Sequence, residues 1–66
     1  SYTPQFENKT MTELMDEYER YILETMMDTH GKKASEVGKV LGMSKATLSR
    51  KLSKYGLNKG SSRNET

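Results

Sequence analysis

Nearly a third of this chain is set aside for one helix. Thr10 followed three residues later by Glu13 is a capping-box pattern, in which each side chain satisfies a backbone N–H at the other position. His30 and Gly31 supply the stop, so the spacing predicts a helix over Met11 to Thr29. A chain of 66 residues holding such a helix has room for one small core. That core is expected within about forty-five central residues. Cysteine is absent, so no disulfide or thiolate metal site can staple the fold, and stability must come from helix packing or from a partner. Hydrophobic residues make up 32% and charged residues 30%, a polar balance, yet the apolar positions are clustered rather than scattered, which argues against wholesale disorder.

Around the predicted first helix, Met11, Leu14, Met15, Tyr18, Ile22 and Met26 fall on one stripe, with Glu13, Glu17, Arg20, Glu24 and Asp28 opposite. Tyr21, Leu23 and Met27 widen the apolar surface beyond that stripe. Two short helices are too little to cover so broad a face, so the surplus is expected to meet another subunit or a neighbouring helix; the alternative is that Leu23 and Met27 are simply exposed. A second, two-turn helix is predicted over Lys33 to Leu41, with Ala34, Val37, Val40 and Leu41 on its apolar side. Gly42, Met43 and Ser44 connect it to a third helix over Lys45 to Tyr55, capped by Ser44 and stopped by Gly56. Ala46, Leu48, Leu52 and Tyr55 are expected to point inward, with Leu57 closing over the end. The fold class is therefore all-α, a three-helix domain at residues 11–57 with a long first helix, between flexible tails at 1–10 and 58–66 that carry Pro4 and a Gly, Ser and Asn run.

Charge divides the same way. Residues 1–28 hold seven acids against Lys9 and Arg20, a balance of −5, and residues 29–66 hold nine bases against Glu36 and Glu65, a balance of +7. A basic half suits a polyanionic partner, which the acidic half must face away from; two solvated helix faces remain the alternative on charge alone. Two short helices joined by a tight turn, the second basic on its exposed side, match a helix-turn-helix that delivers a recognition helix to the major groove. Ser44 and the first-turn amides form an anion site for a phosphate, Thr47 is short enough for a base edge or thymine methyl, and Lys45 and Arg50 reach guanine N7 and O6. Lys32, Lys33, Lys51 and Lys54 are assigned to phosphates. Double-stranded DNA is thus the expected partner. RNA fits less well, because Tyr55 is the only aromatic in the basic half.

The stretch Leu14 to Leu57, and above all Gly31 to Leu57, resembles the Fis-type helix-turn-helix at the C-terminus of bacterial sigma-54-dependent activators and of the aromatic amino acid regulator. The most specific part is the pattern formed by Leu41, Gly42, Ser44, Thr47, Leu48, Arg50, Lys51, Leu52, Tyr55 and Gly56. The resemblance implies sequence-specific binding by a transcription regulator to a palindromic site, with DNA contacts at Ser44, Lys45, Thr47, Arg50 and Lys51. It also implies a homodimer joined through the helix before the reading unit, for which Leu14, Tyr18, Tyr21, Leu23 and Met27 are the interface candidates. The chain departs from the pattern at Lys45, where members often carry Arg, and at Lys32, where they often carry Asn.

Two readings from other classes remain beside it: a protein-interaction or oligomerisation module built on the apolar face of helix 11–29, and nonspecific nucleoid-type DNA binding. Catalysis has no support, since the acids of the first helix face no base or nucleophile. No cofactor is expected. Gly31 and Gly38-Lys39 only echo a phosphate-binding loop, with the wrong glycine spacing and Val40 where Ser or Thr is needed. His30 is the only histidine and suits a helix end, so no metal site is expected. Asn8-Lys9-Thr10 and Asn64-Glu65-Thr66 match the glycosylation triplet by chance, given no secretion signal. No apolar run of about eighteen residues exists either, so a cytoplasmic, nucleoid-associated protein is expected. Polar ends and a non-methionine start suggest a piece of a longer regulator whose other domains lie elsewhere.

Overall fold

The computed structural model describes residues 2–58. All of the proposed C-terminal tail except Asn58, including the second glycosylation triplet, lies outside the described residues.

Three helices follow one another: α1 (Met11–Thr29), α2 (Ala34–Leu41) and α3 (Lys45–Lys54). The capping box forms as expected at the start of α1. Glu13 N–H donates to Thr10 Oγ1 at 3.1 Å and Thr10 N–H donates to Glu13 Oε1 at 2.8 Å. At the other end Lys32 N–H reaches back to the Met27 carbonyl at 2.7 Å, closing the last turn through Gly31 and Lys32, both at positive φ. The N-terminal residues form no helix or strand, but they are tied to α1. Tyr2 packs on Tyr18 and Tyr21 with ring centroids 5.5 and 5.0 Å away, and Lys9 Nζ pairs with Glu17 at 2.7 Å.

The connection between α2 and α3 is fixed by two glycines. Gly42 caps α2 at φ 69°, a left-handed conformation that a side chain disfavours, and Met43 N–H donates to the Gly38 carbonyl at 2.9 Å. Gly38 itself is buried. A methyl there would stand 3.1 Å from the Met43 carbonyl oxygen and 3.6 Å from Leu48 Cδ2, so the absence of a side chain lets the turn and α3 close onto α2. Beyond α3, Leu57 N–H donates to the Leu52 carbonyl at 2.8 Å and its side chain packs against the core, as expected.

Leu23, Met27, Val37, Leu48 and Leu52 form that core, with Met26, Leu41, Met43, Tyr55 and Leu57 around it. This corrects the expected orientation of α1. Leu23 and Met27, assigned above to a partner surface, are buried inside the chain's own core, whereas Met11, Met15 and Tyr18 of the supposed inner stripe are 73%, 62% and 51% exposed. The reason is length. An α1 of 19 residues is about 28 Å long, against about 12 and 15 Å for α2 and α3, so the short pair covers only its C-terminal half. Residues at spacings of three and four, Asp16, Glu19, Leu23 and Met27, make the face turned to α3; it begins with carboxylates and only then becomes apolar. Ala34, Val40 and Ala46 are also exposed rather than inward. The buried seam of α2 is narrower than the apolar half of its wheel and centres on Val37 and Gly38.

Candidate nucleic-acid interface

α3 starts at Ser44, whose extended backbone (φ −68°, ψ 156°) turns its hydroxyl onto the helix end. Ser44 Oγ accepts from Thr47 N–H at 3.2 Å and donates to Thr47 Oγ1 at 3.0 Å. The N–H groups of Lys45 and Ala46 lie in the first turn, where no intrahelical acceptor exists for them, so they are directed outward along the axis. Thr47 Oγ1 also accepts from Arg50 Nη2 at 3.3 Å, which lays the guanidinium along the outer surface one turn inside the helix.

The outer face of α3 comprises Lys45, Ala46, Ser49, Arg50 and Ser53, all exposed, with Thr47 half-buried beside them. Ala46 is the member missed from the sequence. Its methyl stands between Lys45 and Thr47 on the open side, where it can touch a thymine methyl. The signal for it was weak, since one small apolar residue fits either side of a helix. Beside this face a groove of about 720 Å³ runs between α2 and α3, with Gly38, Met43 and Leu48 in its floor and Lys39, Ser44 and Lys45 at its rim.

The other flank of α3 is occupied. Lys51 Nζ lies 2.8 Å from Glu19 Oε2 and Lys54 Nζ 3.1 Å from Asp16 Oδ1. The Tyr55 hydroxyl donates to Glu19 Oε1 at 2.5 Å and approaches Asp16 Oδ1 at 3.4 Å, while Lys54 stands 5.3 Å from the Tyr55 ring centroid. The Lys51 ammonium, and then the Tyr55 hydroxyl, hold the Glu19 carboxyl below its ordinary range. Burial, and then the neighbouring Glu19 carboxylate, push the Tyr55 hydroxyl well above its own range, so it stays a donor.

Of the positions singled out as DNA-binding, the fold therefore brings Ser44, Lys45, Thr47 and Arg50 together on one surface. Lys51 and Lys54 turn to α1. Lys32 pairs with Asp28 at 2.7 Å, and Lys33, exposed, is the N-cap residue of α2 without a side-chain cap bond. Among the described residues Lys33, Lys39, Lys45 and Arg50 take part in no ion pair. His30 Nδ1 lies 3.6 Å from Glu36 Oε1. Among the described residues no cluster of three metal-ligating side chains occurs, and no helix is long and apolar enough to cross a membrane.

A two-helix reading unit on a long supporting helix, with a capped, cation-bearing third helix open to the outside, is the arrangement by which DNA is gripped. The family model of the helix-turn-helix domain matches residues 8–58, which spans all three helices and the turn. No curated protein and no solved structure matches the chain. With most of its length matched, the chain belongs to the helix-turn-helix domain family, and DNA is the partner that this membership supports.

Proposed function

We propose that this chain is the sequence-specific DNA-binding module of a bacterial transcription regulator of the Fis type, acting as a homodimer with α3 in the major groove of each half-site. It performs no catalysis in this reading. The observation that carries it is the outer face of α3. Ser44 and the first-turn amides offer an anion site, and Lys45, Ala46 and Arg50 stand immediately beside it, uncovered by the rest of the fold, with Thr47 half-buried among them. A phosphate held at the helix start fixes the depth and direction of entry, after which Arg50 and Lys45 reach guanine edges and Ala46 and Thr47 thymine methyls. Lys32 and Lys33, ahead of α2, contact flanking phosphates, Lys32 by exchanging Asp28 for the backbone.

Dimerisation is supported by the stripe of α1 that α2 and α3 do not bury. Met11, Met15 and Tyr18 are exposed and Leu14, Ile22 and Tyr21 half-covered; Met15, Tyr18 and Ile22 border the flank of α3 that carries Lys51 and Lys54, and Tyr2 packs on Tyr18 and Tyr21. Leu23 and Met27 drop out of the proposed interface because the monomer uses them. The same stripe favours the alternative, an oligomerisation module in which α3 only confers solubility.

Selection of binding sites from random duplex DNA at physiological salt separates the readings. The proposal expects an enriched palindrome with half-site centres one helical turn apart, and Arg50→Ala is expected to cost about 1 to 3 kcal/mol and relax one base position. Binding without enrichment supports the nucleoid-type reading. No retention of DNA at all, with self-association intact, supports the oligomerisation module.

A further inference from the structure

α3 carries four cations, Lys45, Arg50, Lys51 and Lys54, and α1 neutralises two of them. The Lys51–Glu19 tie is partly covered, and the more exposed Lys54–Asp16 tie, with side chains 51% and 39% exposed, is joined to it through the Tyr55 hydroxyl. Glu19 is held by Lys51 through one oxygen and by the Tyr55 hydroxyl through the other, and the same hydroxyl approaches Asp16, the partner of Lys54. Two carboxylates, two ammonium groups and a phenol thus form one chain of contacts across the α1–α3 seam. The Lys51 and Glu19 side chains are only 35% and 32% exposed, so withdrawing Lys51 strands a partly desolvated carboxylate.

We propose that Asp16 and Glu19 are specificity-determining residues: by holding Lys51 and Lys54 against α1, they withhold both lysines from DNA phosphates and lower the affinity for arbitrary sequence. The inference rests on the DNA-binding reading and deepens it. Affinity for arbitrary duplex comes almost wholly from phosphate contacts and grows with each cation that reaches the backbone. On arbitrary duplex no base contact fixes the roll of α3, and free cations on its flank turn it toward the nearest phosphates. At a matched site Arg50 and Lys45 fix that roll. Removing two flank cations therefore subtracts more from arbitrary than from matched DNA, and the ratio between them widens.

The test is salt-dependent binding of the whole chain to a random-sequence duplex between about 50 and 200 mM salt. Asp16→Asn with Glu19→Gln preserves size and hydrogen-bonding atoms while releasing the lysines. The slope of log affinity against log salt is expected to steepen by about 0.9 for each lysine that gains a phosphate, and affinity near 0.1 M salt to rise about eightfold per lysine. Glu17→Gln with Glu24→Gln removes equal charge from α1 and releases Lys9 and Arg20, neither of which lies on α3, so its slope is expected to stay near that of the parent. Lys51→Met with Lys54→Met is expected to leave the parental slope unchanged, and it carries the test alone if the acid-to-amide variant loses its helical signal.

Two results overturn the inference while leaving DNA binding in place. One is a lysine variant whose slope falls by about 1.8, which means that both lysines already meet phosphates. The other is an acid-to-amide variant no steeper than the Glu17 and Glu24 control. A parent chain that binds no duplex at about 50 mM salt overturns the DNA-binding reading and the inference together.

Discussion

The two halves of α1 hold the same kinds of side chain and are used in opposite ways. The C-terminal half gives Leu23 and Met27 to the core, packed beneath α2 and α3. The N-terminal half leaves Met11, Met15 and Tyr18 exposed and is tied to α3 by the ion pairs of Asp16 and Glu19. One end of the helix is held by apolar burial, which salt and mild acid barely touch; the other is held by charge, which both weaken. A helix longer than its partners thus acquires a second surface at no cost to the core, and that surface is open to another molecule.

The largest expected effect comes from the apolar end. Leu23→Ala removes a side chain that is 1% exposed and is expected to cost about 2 to 5 kcal/mol, enough to unfold a domain of this size in large part. Met15→Ala, on the open half, is expected to change the stability of the dilute monomer by less than about 0.5 kcal/mol. Urea denaturation of the two variants at low concentration compares them directly. Equal losses would mean that the halves are packed alike and would break the comparison.

Next in size is self-association. Met11→Gln with Met15→Gln keeps length and helix propensity while removing the apolar character of the open stripe. Dimer dissociation constants from sedimentation are expected to rise about tenfold to a hundredfold, and the melting temperature to lose its dependence on protein concentration. Unchanged association, or no association in the parent chain, leaves the stripe without a partner of its own kind.

The charged end predicts a smaller, pH-dependent effect. Glu19 has a carboxyl pKa lowered by Lys51 and Tyr55, so its contribution is fully present above the ordinary value of 4.5 and is lost as pH falls through the lowered value. Tyr55 is shifted the other way. Its contribution is complete below the ordinary value of 10.0 and is lost only as pH rises through the raised one. Glu19→Gln is therefore expected to flatten the acid limb of stability against pH. A double-mutant cycle with Tyr55→Phe at neutral pH is expected to give a coupling of about 1 kcal/mol that shrinks in high salt. A coupling near zero would reduce the polar seam to a passive surface contact.

How much of this was legible in the chain follows from the same contrast. Helix positions came from local chemistry: the Thr10 and Glu13 box, Gly42 and Ser44 fix their boundaries within a residue or so of those observed. Core membership of Val37, Leu48 and Leu52 followed from spacing in the short helices, although the same spacing also placed Ala34, Val40 and Ala46 inward and they are exposed. The orientation of α1 did not follow. Its periodicity, summed over both halves, points along Met11, Met15, Tyr18 and Ile22, about 100° from the face that α3 meets. Which half a partner covers depends on the angle at which α2 leaves through Gly31 and Lys32, and no periodicity encodes that angle. The pairing of Lys51 and Lys54 with α1 is illegible for the same reason, because their carboxylate partners are remote in sequence and adjacent only once α1 is placed. Ser44, Lys45, Thr47 and Arg50, whose placement is local to one turn and one helix, lie on the surface where spacing put them.

That exit from α1 carries the smallest and most local prediction. Lys32 adopts φ 68°, a left-handed conformation in which a β-carbon crowds the following carbonyl, at a cost of about 1 to 2 kcal/mol for an ordinary residue. Asparagine tolerates this region better through local hydrogen bonding of its amide. Lys32→Asn also breaks the exposed pair with Asp28, which returns only a few tenths of a kcal/mol of the gain. The net expectation is stabilisation by about 0.5 kcal/mol, read as a rise of a few degrees in melting temperature with no change in helix content. The gain belongs to the apolar end, because Lys32 N–H closes the last turn onto Met27. It is therefore expected to persist in Met11→Gln with Met15→Gln and in Glu19→Gln, adding to each within about 0.3 to 0.5 kcal/mol. Loss of the gain in either background would show that the two halves of α1 are coupled through the helix itself.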